Sequence, residues 1–177
     1  MSQPVVIVDY DPRWPALYEK EKARLQEAIG DRILAIAHIG STAVPGLAAK
    51  PIVDIFVGVR ERAAAEECVS LLSSLGYTNV TPEDHPEWYY CLGNGPSGAS
   101  TFHVHLVKYP SAHWERHLLF RDYLRAHAEV AEEYCRLKRE LAARHGSDRV
   151  AYTEAKSAFI ASVEAQARAW FTKDLGH

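Results

Sequence analysis

A chain of 177 residues, 47% hydrophobic and 24% charged, has the length and composition of one ordinary globular domain with a core of its own. Its formal net charge of −3 gives no footprint for a polyanion, which argues against nucleic acid as a partner. The three cysteines, Cys68, Cys91 and Cys135, contain no Cys-x-x-Cys pair, which argues against a disulfide framework or a thiolate zinc site and fits a reducing cytoplasm.

The start, Met1 to Pro4 followed by Asp9 and Asp11, lacks a basic leader, and no apolar run reaches the length of a membrane span. A cytoplasmic protein without membrane contact is expected. Val5 to Val8 is a β-branched run that predicts an edge strand. Asp11-Pro12 reads as the cap and first residue of a helix, and Trp14, Leu17, Tyr18, Leu25 and Ile29 recur at helical spacing. Glu21 falls on that stripe, either as a snorkelling edge residue or as part of a site. Gly30-Asp31 ends the helix. Ile33 to Ala37 and Ile52 to Val57 predict two strands. Glu61 to Leu75 predicts a helix closed by Gly76.

Tyr77 to Thr81 and Trp88 to Leu92 predict two more strands, separated by a polar turn at Pro82 to Pro86. Gly93 to Gly98 reads as a flexible hairpin connection, and Thr101 to Lys108 as a strand with clean alternation. From Ser111 onward the pattern is helical: Ser111 to His127, Glu129 to Arg144, and Asp148 to Phe171. His145-Gly146-Ser147-Asp148 supplies a C-cap and then an N-cap. Strands in front and helices behind are not a regular βαβ alternation. The expectation is an α/β (α+β) fold, a mixed sheet followed by a helical C-terminal part, in a single domain over 1–177.

The chemistry concentrates around the second strand. Backbone N–H groups and hydroxyls at Gly40-Ser41-Thr42 can cradle a phosphate, and Lys50 adds a charge. Asp54 lies inside the strand with Ile52 and Phe56 on its face, where a carboxylate beside a phosphate cradle would hold a divalent cation. Taken alone, the residues favour a plain turn and a rim carboxylate. In the last strand His103 and His105 share one face, so both imidazoles can reach one metal ion, or both sit on a polar surface. His38, at a strand end beside the turn, suits a general base, a phosphate ligand or a structural histidine. Arg121, Lys138 and Lys156 fall on apolar helical stripes, where they form buried ion pairs or line an anion pocket. No Gly-x-Ser-x-Gly elbow and no Gly-rich dinucleotide fingerprint is present, which removes acyl transfer and the dehydrogenase reading of Tyr152 with Lys156.

The run His38 to Leu47, followed by Lys50-Pro51-Ile52 and Asp54-Ile55, resembles the signature of the GrpB family of bacterial proteins. The resemblance continues through His103-Val104-His105, Phe120 to Arg125, Tyr134 with Lys138, and Tyr152 with Lys156. More distantly, Ile39-Gly40-Ser41, a spacer over 42–53, and Asp54-Ile55-Phe56 are similar to the nucleotidyltransferase superfamily pattern. Phe56 stands where that pattern has its second carboxylate. The resemblance implies a nucleotidyltransferase-like fold and a nucleotide or other phosphorylated small molecule as ligand. The resemblance itself implies no reaction; the functional expectation is one divalent metal (Zn, Mn or Mg) and nucleotidyl or phosphoryl transfer or hydrolysis.

By the same resemblance the strand of His103 and His105 replaces the superfamily's third-carboxylate strand. Asp54, His103 and His105 would then hold the metal, with donors that suit Zn, Mn, Fe or Ni better than Mg. Gly40, Ser41, Thr42, Lys50, Arg121, Lys138 and Lys156 would bind the phosphorylated substrate, and His38, Glu21 and Asp54 would serve catalysis. Similar domains are fused to dephospho-coenzyme A kinase in some bacteria, which implies a link to coenzyme A metabolism. The alternative expectation, from Phe56, is a catalytically inactive member of the fold that binds a ligand or a protein.

Overall fold

Strands form where the β-branched runs fall, and helices where apolar residues repeat every three to four positions. The computed structural model describes residues 4–82, 88–94 and 100–174. The expected polar turn at 82–86 and the connection at 93–98 lie largely outside them. Helix α1 (Trp14–Ile29) leads through a 3-10 turn into β1 (Ile33–Ile39), a second 3-10 turn (Ser41–Ala43) and β2 (Val53–Val59). Then come α2 (Arg62–Ser74), β3 (Tyr77–Asn79), β4 (Tyr89–Asn94) and β5 (Ser100–Lys108). The chain continues through α3 (Ala112–Ala126), α4 (Ala128–His145), α5 (Arg149–Ala155) and α6 (Ser157–Asp174).

The strands make one mixed sheet in the order β1-β2-β5-β4-β3. Its central pair, β2 with β5, is parallel, and the other neighbours are antiparallel. Alternation then sorts the side chains. Val53, Ile55, Val57, Val104 and Leu106 join Leu25, Ile29, Ala65, Cys68 and Leu72 in the main core under α1 and α2. Fully burying an aliphatic side chain of this kind contributes about 1.5–3 kcal/mol. The opposite face of the same strands carries Asp54, Phe56, His103 and His105. A second core pins the loop after β1 beneath the C-terminal helices: Val44 and Leu47 pack with Tyr123, Leu124, Tyr134 and Val163. That clamp brings the Gly40-Ser41 turn up against α4.

Several expectations are corrected. Val5 to Val8 is not a strand. Val8 makes one antiparallel bridge to Ala49 while the Val5 N–H bonds to Gly146 O, so the backbone is shared between two separate segments. Helix α1 starts at Trp14 rather than at Pro12; the Asp11 carboxylate still accepts the Arg13 N–H, and a three-residue closure from Trp14 N–H to Asp11 O at 3.1 Å precedes the helix. The last predicted helix is two. At Lys156 the N–H bonds back to Thr153 O at 3.3 Å, a three-residue closure that separates α5 from α6. Asp148 caps α5 as expected, accepting the N–H groups of Val150 and Ala151. Gly146 does not supply a left-handed cap, since its φ is −59°.

Candidate functional site

β2 and β5 place Asp54 and His103 as direct neighbours, with Phe56 beside His105. Both imidazoles turn to one carboxylate oxygen. His105 Nε2 lies 3.2 Å from Asp54 Oδ1, and His103 Nδ1 lies 3.5 Å from it. Tyr90 of β4, opposite His105 in register, adds its hydroxyl at 2.5 Å from His103 Nδ1. Burial raises the Asp54 carboxyl pKa, but the hydrogen bonds from His103 and His105 and their charge outweigh it and hold the group well below the usual carboxylate range. The donor types are those of a transition-metal site. Their arrangement is closed on itself, with the nitrogens directed at an oxygen, and among the described residues no three His, Cys, Asp or Glu side chains are disposed as a ligand set.

The turn beside them is shaped by Gly40. Its φ of +74° is the left-handed region that favours glycine, and a Cβ there would stand 2.9 Å from Asp54 Oδ2. Glycine therefore lets the backbone approach the carboxylate. The next residue, Ser41, accepts a hydrogen bond at 2.9 Å from Nζ of Lys138, which reaches over from α4 and also donates to Ala48 O. Lys138 is only 2% exposed. Its ammonium lies 4.6 Å from the centre of the Tyr134 ring, a cation–π contact.

Two more lysines line the same cleft, Lys50 and Lys156, with Nζ atoms 5.7 and 4.5 Å from the centre of the Tyr152 ring. Arg149 lines it too. The cleft holds about 470 Å³. Burial, then repulsion from Lys156, lowers the Lys138 pKa to about 7, and burial, then Lys50, lowers Lys156 to about 8. Lys50 is lowered as well, mainly by burial. Among the described residues none of the three lysines pairs with a carboxylate within ion-pair distance. Asp54 is engaged by histidines, and Glu164 by Arg116 at 3.5 Å. The Asp54 charge reaches Lys50 and Lys156 without an ion pair, so among the described residues these partly desolvated cations are only partly countered, an arrangement that can receive an anion.

Phe56, at the second-carboxylate position, is fully buried. Its ring packs 4.7 Å from His117, 5.4 Å from His105, 5.5 Å from His113 and 5.8 Å from Trp114. The position is therefore core, sealed by α3 against the sheet.

Not every expected residue reaches the cleft. His38 alternates away from Asp54, stacks 4.8 Å from Tyr18, and makes a 2.9 Å hydrogen bond to the Thr42 hydroxyl. Burial lowers its pKa to about 4, so it stays neutral. That bond turns the Thr42 hydroxyl toward His38. Arg121 lies in a separate groove along the free edge of β1, donating to His38 O at 3.0 Å and to Asp122 at 2.7 Å. Glu21 is buried under the sheet's other face, where it accepts from the Tyr77 hydroxyl at 2.7 Å and pairs with Arg24 at 3.0 Å. Tyr90, Arg149 and His117, which no sequence motif singled out, line the cleft instead. Tyr90 stood on an alternating strand, but its match to His105 depends on register.

The chain is similar to known proteins over nearly its whole length. A family model described as "GrpB protein" matches residues 4–166. The UPF0157 protein YqkA of Bacillus subtilis is 39% identical over 166 residues, covering 94% of this chain and 48% of that protein, so the chain spans about half of that relative's length. A protein named dephospho-CoA kinase from Mycolicibacterium paratuberculosis is 31% identical over 192 residues, covering 94% of this chain and 46% of its own. Among solved structures, the conserved protein GrpB from Enterococcus faecalis superposes with a TM-score of 0.82 at 33% identity, covering 94% of this chain and 99% of that one. Cid1, solved in complex with its short product ApU, gives a TM-score of 0.53 at 13% identity over 75% of this chain and 42% of its own. At that identity Cid1 speaks to the fold alone, and the fold is the nucleotidyltransferase-like one that the signature implied. Among the described residues no helix is long and apolar enough to cross a membrane.

Proposed function

The chain belongs to the GrpB family, and from that premise we propose that its sheet-face cleft binds a nucleotide or other phosphorylated small molecule. The observation that carries this reading is the trio Lys50, Lys138 and Lys156, crowded beside the Ser41 hydroxyl with no carboxylate in ion-pair contact among the described residues. A phosphate supplies the missing counter-charge and accepts from several donors at once. The kinase name of the mycobacterial relative favours a nucleotide-containing ligand, with coenzyme A precursors among the compounds to try.

A divalent metal belongs to the proposal as a competitor for the Asp54 cluster. Asp54, His103 and His105 are the residues that would hold it, after giving up the protons that now join them. Bound there, it would act as a Lewis acid toward a phosphoryl oxygen in nucleotidyl or phosphoryl transfer or hydrolysis. The packing of Phe56 against four aromatic and imidazole rings favours a second reading, a ligand-binding member of the fold without catalysis.

Thermal-shift measurements against inorganic phosphate, nucleotides and dephospho-coenzyme A, each with and without Zn or Mn, test the proposal. Stabilisation by phosphorylated compounds supports the cleft reading, and stabilisation that requires metal supports the enzyme. No shift with any phosphorylated compound removes both.

A further inference from the structure

The groove along the free edge of β1 holds about 510 Å³ and is built differently from the lysine cleft. β1 is the outermost strand on its side of the sheet, so its outward backbone groups have no ladder partner. His38 is turned outward: Arg121 donates to its O at 3.0 Å, and its N–H faces the Tyr18 hydroxyl. Alternation turns Ile36, which lines the groove, the same way. The outward N–H and C=O of Ile36 have no hydrogen-bond partner among the described residues. A strand laid beside β1 therefore finds an open edge at Ile36 and a closed one at His38. The groove's walls come from two different cores. Tyr10 and Tyr18 belong to the one under α1, and Trp114 and Leu118 to the cluster between α3 and the sheet.

Two guanidiniums stand at the closed end. Arg121 commits Nε to Asp122 and Nη1 to His38 O. Arg125 commits Nε to Ala43 O at 2.8 Å and lies 3.6 Å from the same Asp122 oxygen. Each fork is held by a backbone carbonyl, and Nη2 of each has no partner among the described residues. One carboxylate shared by two arginines leaves one surplus positive charge, while Lys22 at the rim pairs with Glu19 at 3.6 Å. The lysine cleft, with several cations around Asp54, suits a multiply charged phosphate. A single surplus charge on paired forks suits a carboxylate.

We propose that this groove binds the C-terminal end of an extended peptide, which adds as a strand to β1 and sets its terminal carboxylate on Arg121 and Arg125. Ending at His38, the peptide runs parallel to β1, as β5 runs to β2. Its successive side chains turn alternately to the α1 wall and the α3 wall. Both walls are largely apolar, so the last and penultimate residues of the peptide are apolar too. The site is independent of the phosphate reading of the lysine cleft.

Fluorescence anisotropy with two peptide libraries tests this. Each is a fluorescein-labelled Ser-Gly-Ser followed by three positions mixed among Val, Ile, Leu and Phe, one with a free C-terminal carboxylate and one amidated. The free-carboxylate library should bind saturably. The amidated one should be weaker by roughly tenfold or more, the worth of charge-assisted hydrogen bonds. R125Q, shown to be folded by its unfolding midpoint, should lose a similar factor. N-methylation of the peptide residues in turn should weaken binding at alternate positions, since every second N–H meets the β1 edge. ATP should not displace the peptide. No saturable binding, equal binding of the two libraries, full affinity in R125Q or displacement by ATP overturns the proposal. A carboxylate requirement without alternation in the methylation scan overturns it as well, in favour of a site for small organic acids.

Discussion

His105 Nε2 sits 3.2 Å from Asp54 Oδ1, across the parallel pairing of β2 and β5, and not directly opposite it in register. His103, which is directly opposite, reaches the same oxygen at 3.5 Å. One carboxylate oxygen therefore organises two imidazoles on the floor of a cleft whose walls are cationic.

That relationship predicts how stability depends on acid. The folded Asp54 pKa is depressed below its unfolded value of 3.8. Its contribution is therefore fully present above about pH 4 and is lost as pH falls through the lower folded value. D54N should lose about 1–3 kcal/mol at pH 7, the worth of hydrogen bonds to a charged group. Urea unfolding at pH 7 and at pH 3 checks this: the gap between wild type and D54N should narrow in acid.

Lys138 gives the same direction of pH dependence in a higher window, because its charge is penalised by burial where that of Asp54 is supported. Its pKa falls from 10.5 unfolded to about 7 folded, so the unfolded chain binds more protons between those values and stability should rise as pH climbs from 7 toward 10. K138M should flatten that rise while weakening the binding of anions. The affinity of wild type for inorganic phosphate should also increase as pH falls from 8 to 6, as Lys138 becomes charged. Chemical unfolding and phosphate titrations across that range measure both.

Gly40→Ala forces a left-handed φ on a residue with a Cβ and drives that carbon to 2.9 Å from Asp54 Oδ2. A loss of about 1–3 kcal/mol in stability is expected from the strain. Phosphate affinity should fall with it, because the Ser41 hydroxyl moves with the turn.

Restoring the absent carboxylate should fail. Phe56 is fully buried among His105, His113, His117 and Trp114, so F56D removes a core ring and buries a charge. A destabilisation of about 3–5 kcal/mol or more is expected, with no gain of metal affinity. A stable F56D that binds Mn more tightly than wild type would show that the position is a dormant ligand site.

These residues also mark what was legible in the sequence. Alternation alone put Asp54 with Phe56, and His103 with His105, on single faces, and the two strands did become neighbours. The same period of two, applied from Ile39 opposite Asp54, turns His38 to the other face, but that needs the antiparallel register of β1 on β2, which no local pattern encodes. Glu21 and Arg121 shared apolar stripes with the true core, and a stripe does not say which layer it meets. Lys138 and Lys156 were visible as cations on such stripes. Their convergence with Lys50 depends on how α4 and α5 dock, a tertiary matter. The break at Lys156 was hidden because one tightened hydrogen bond changes the helix without changing its periodicity.

The central claim is that the lysine-lined cleft, rather than the groove at the edge of β1, receives a phosphorylated ligand. Isothermal titration of ATP into wild type, K138M and R121A, each verified as folded, tests it most directly. The account predicts saturable binding to wild type, a loss of roughly tenfold or more in K138M from removing one charge-assisted contact, and near-normal affinity in R121A. No binding to wild type, or binding lost in R121A and kept in K138M, would contradict it.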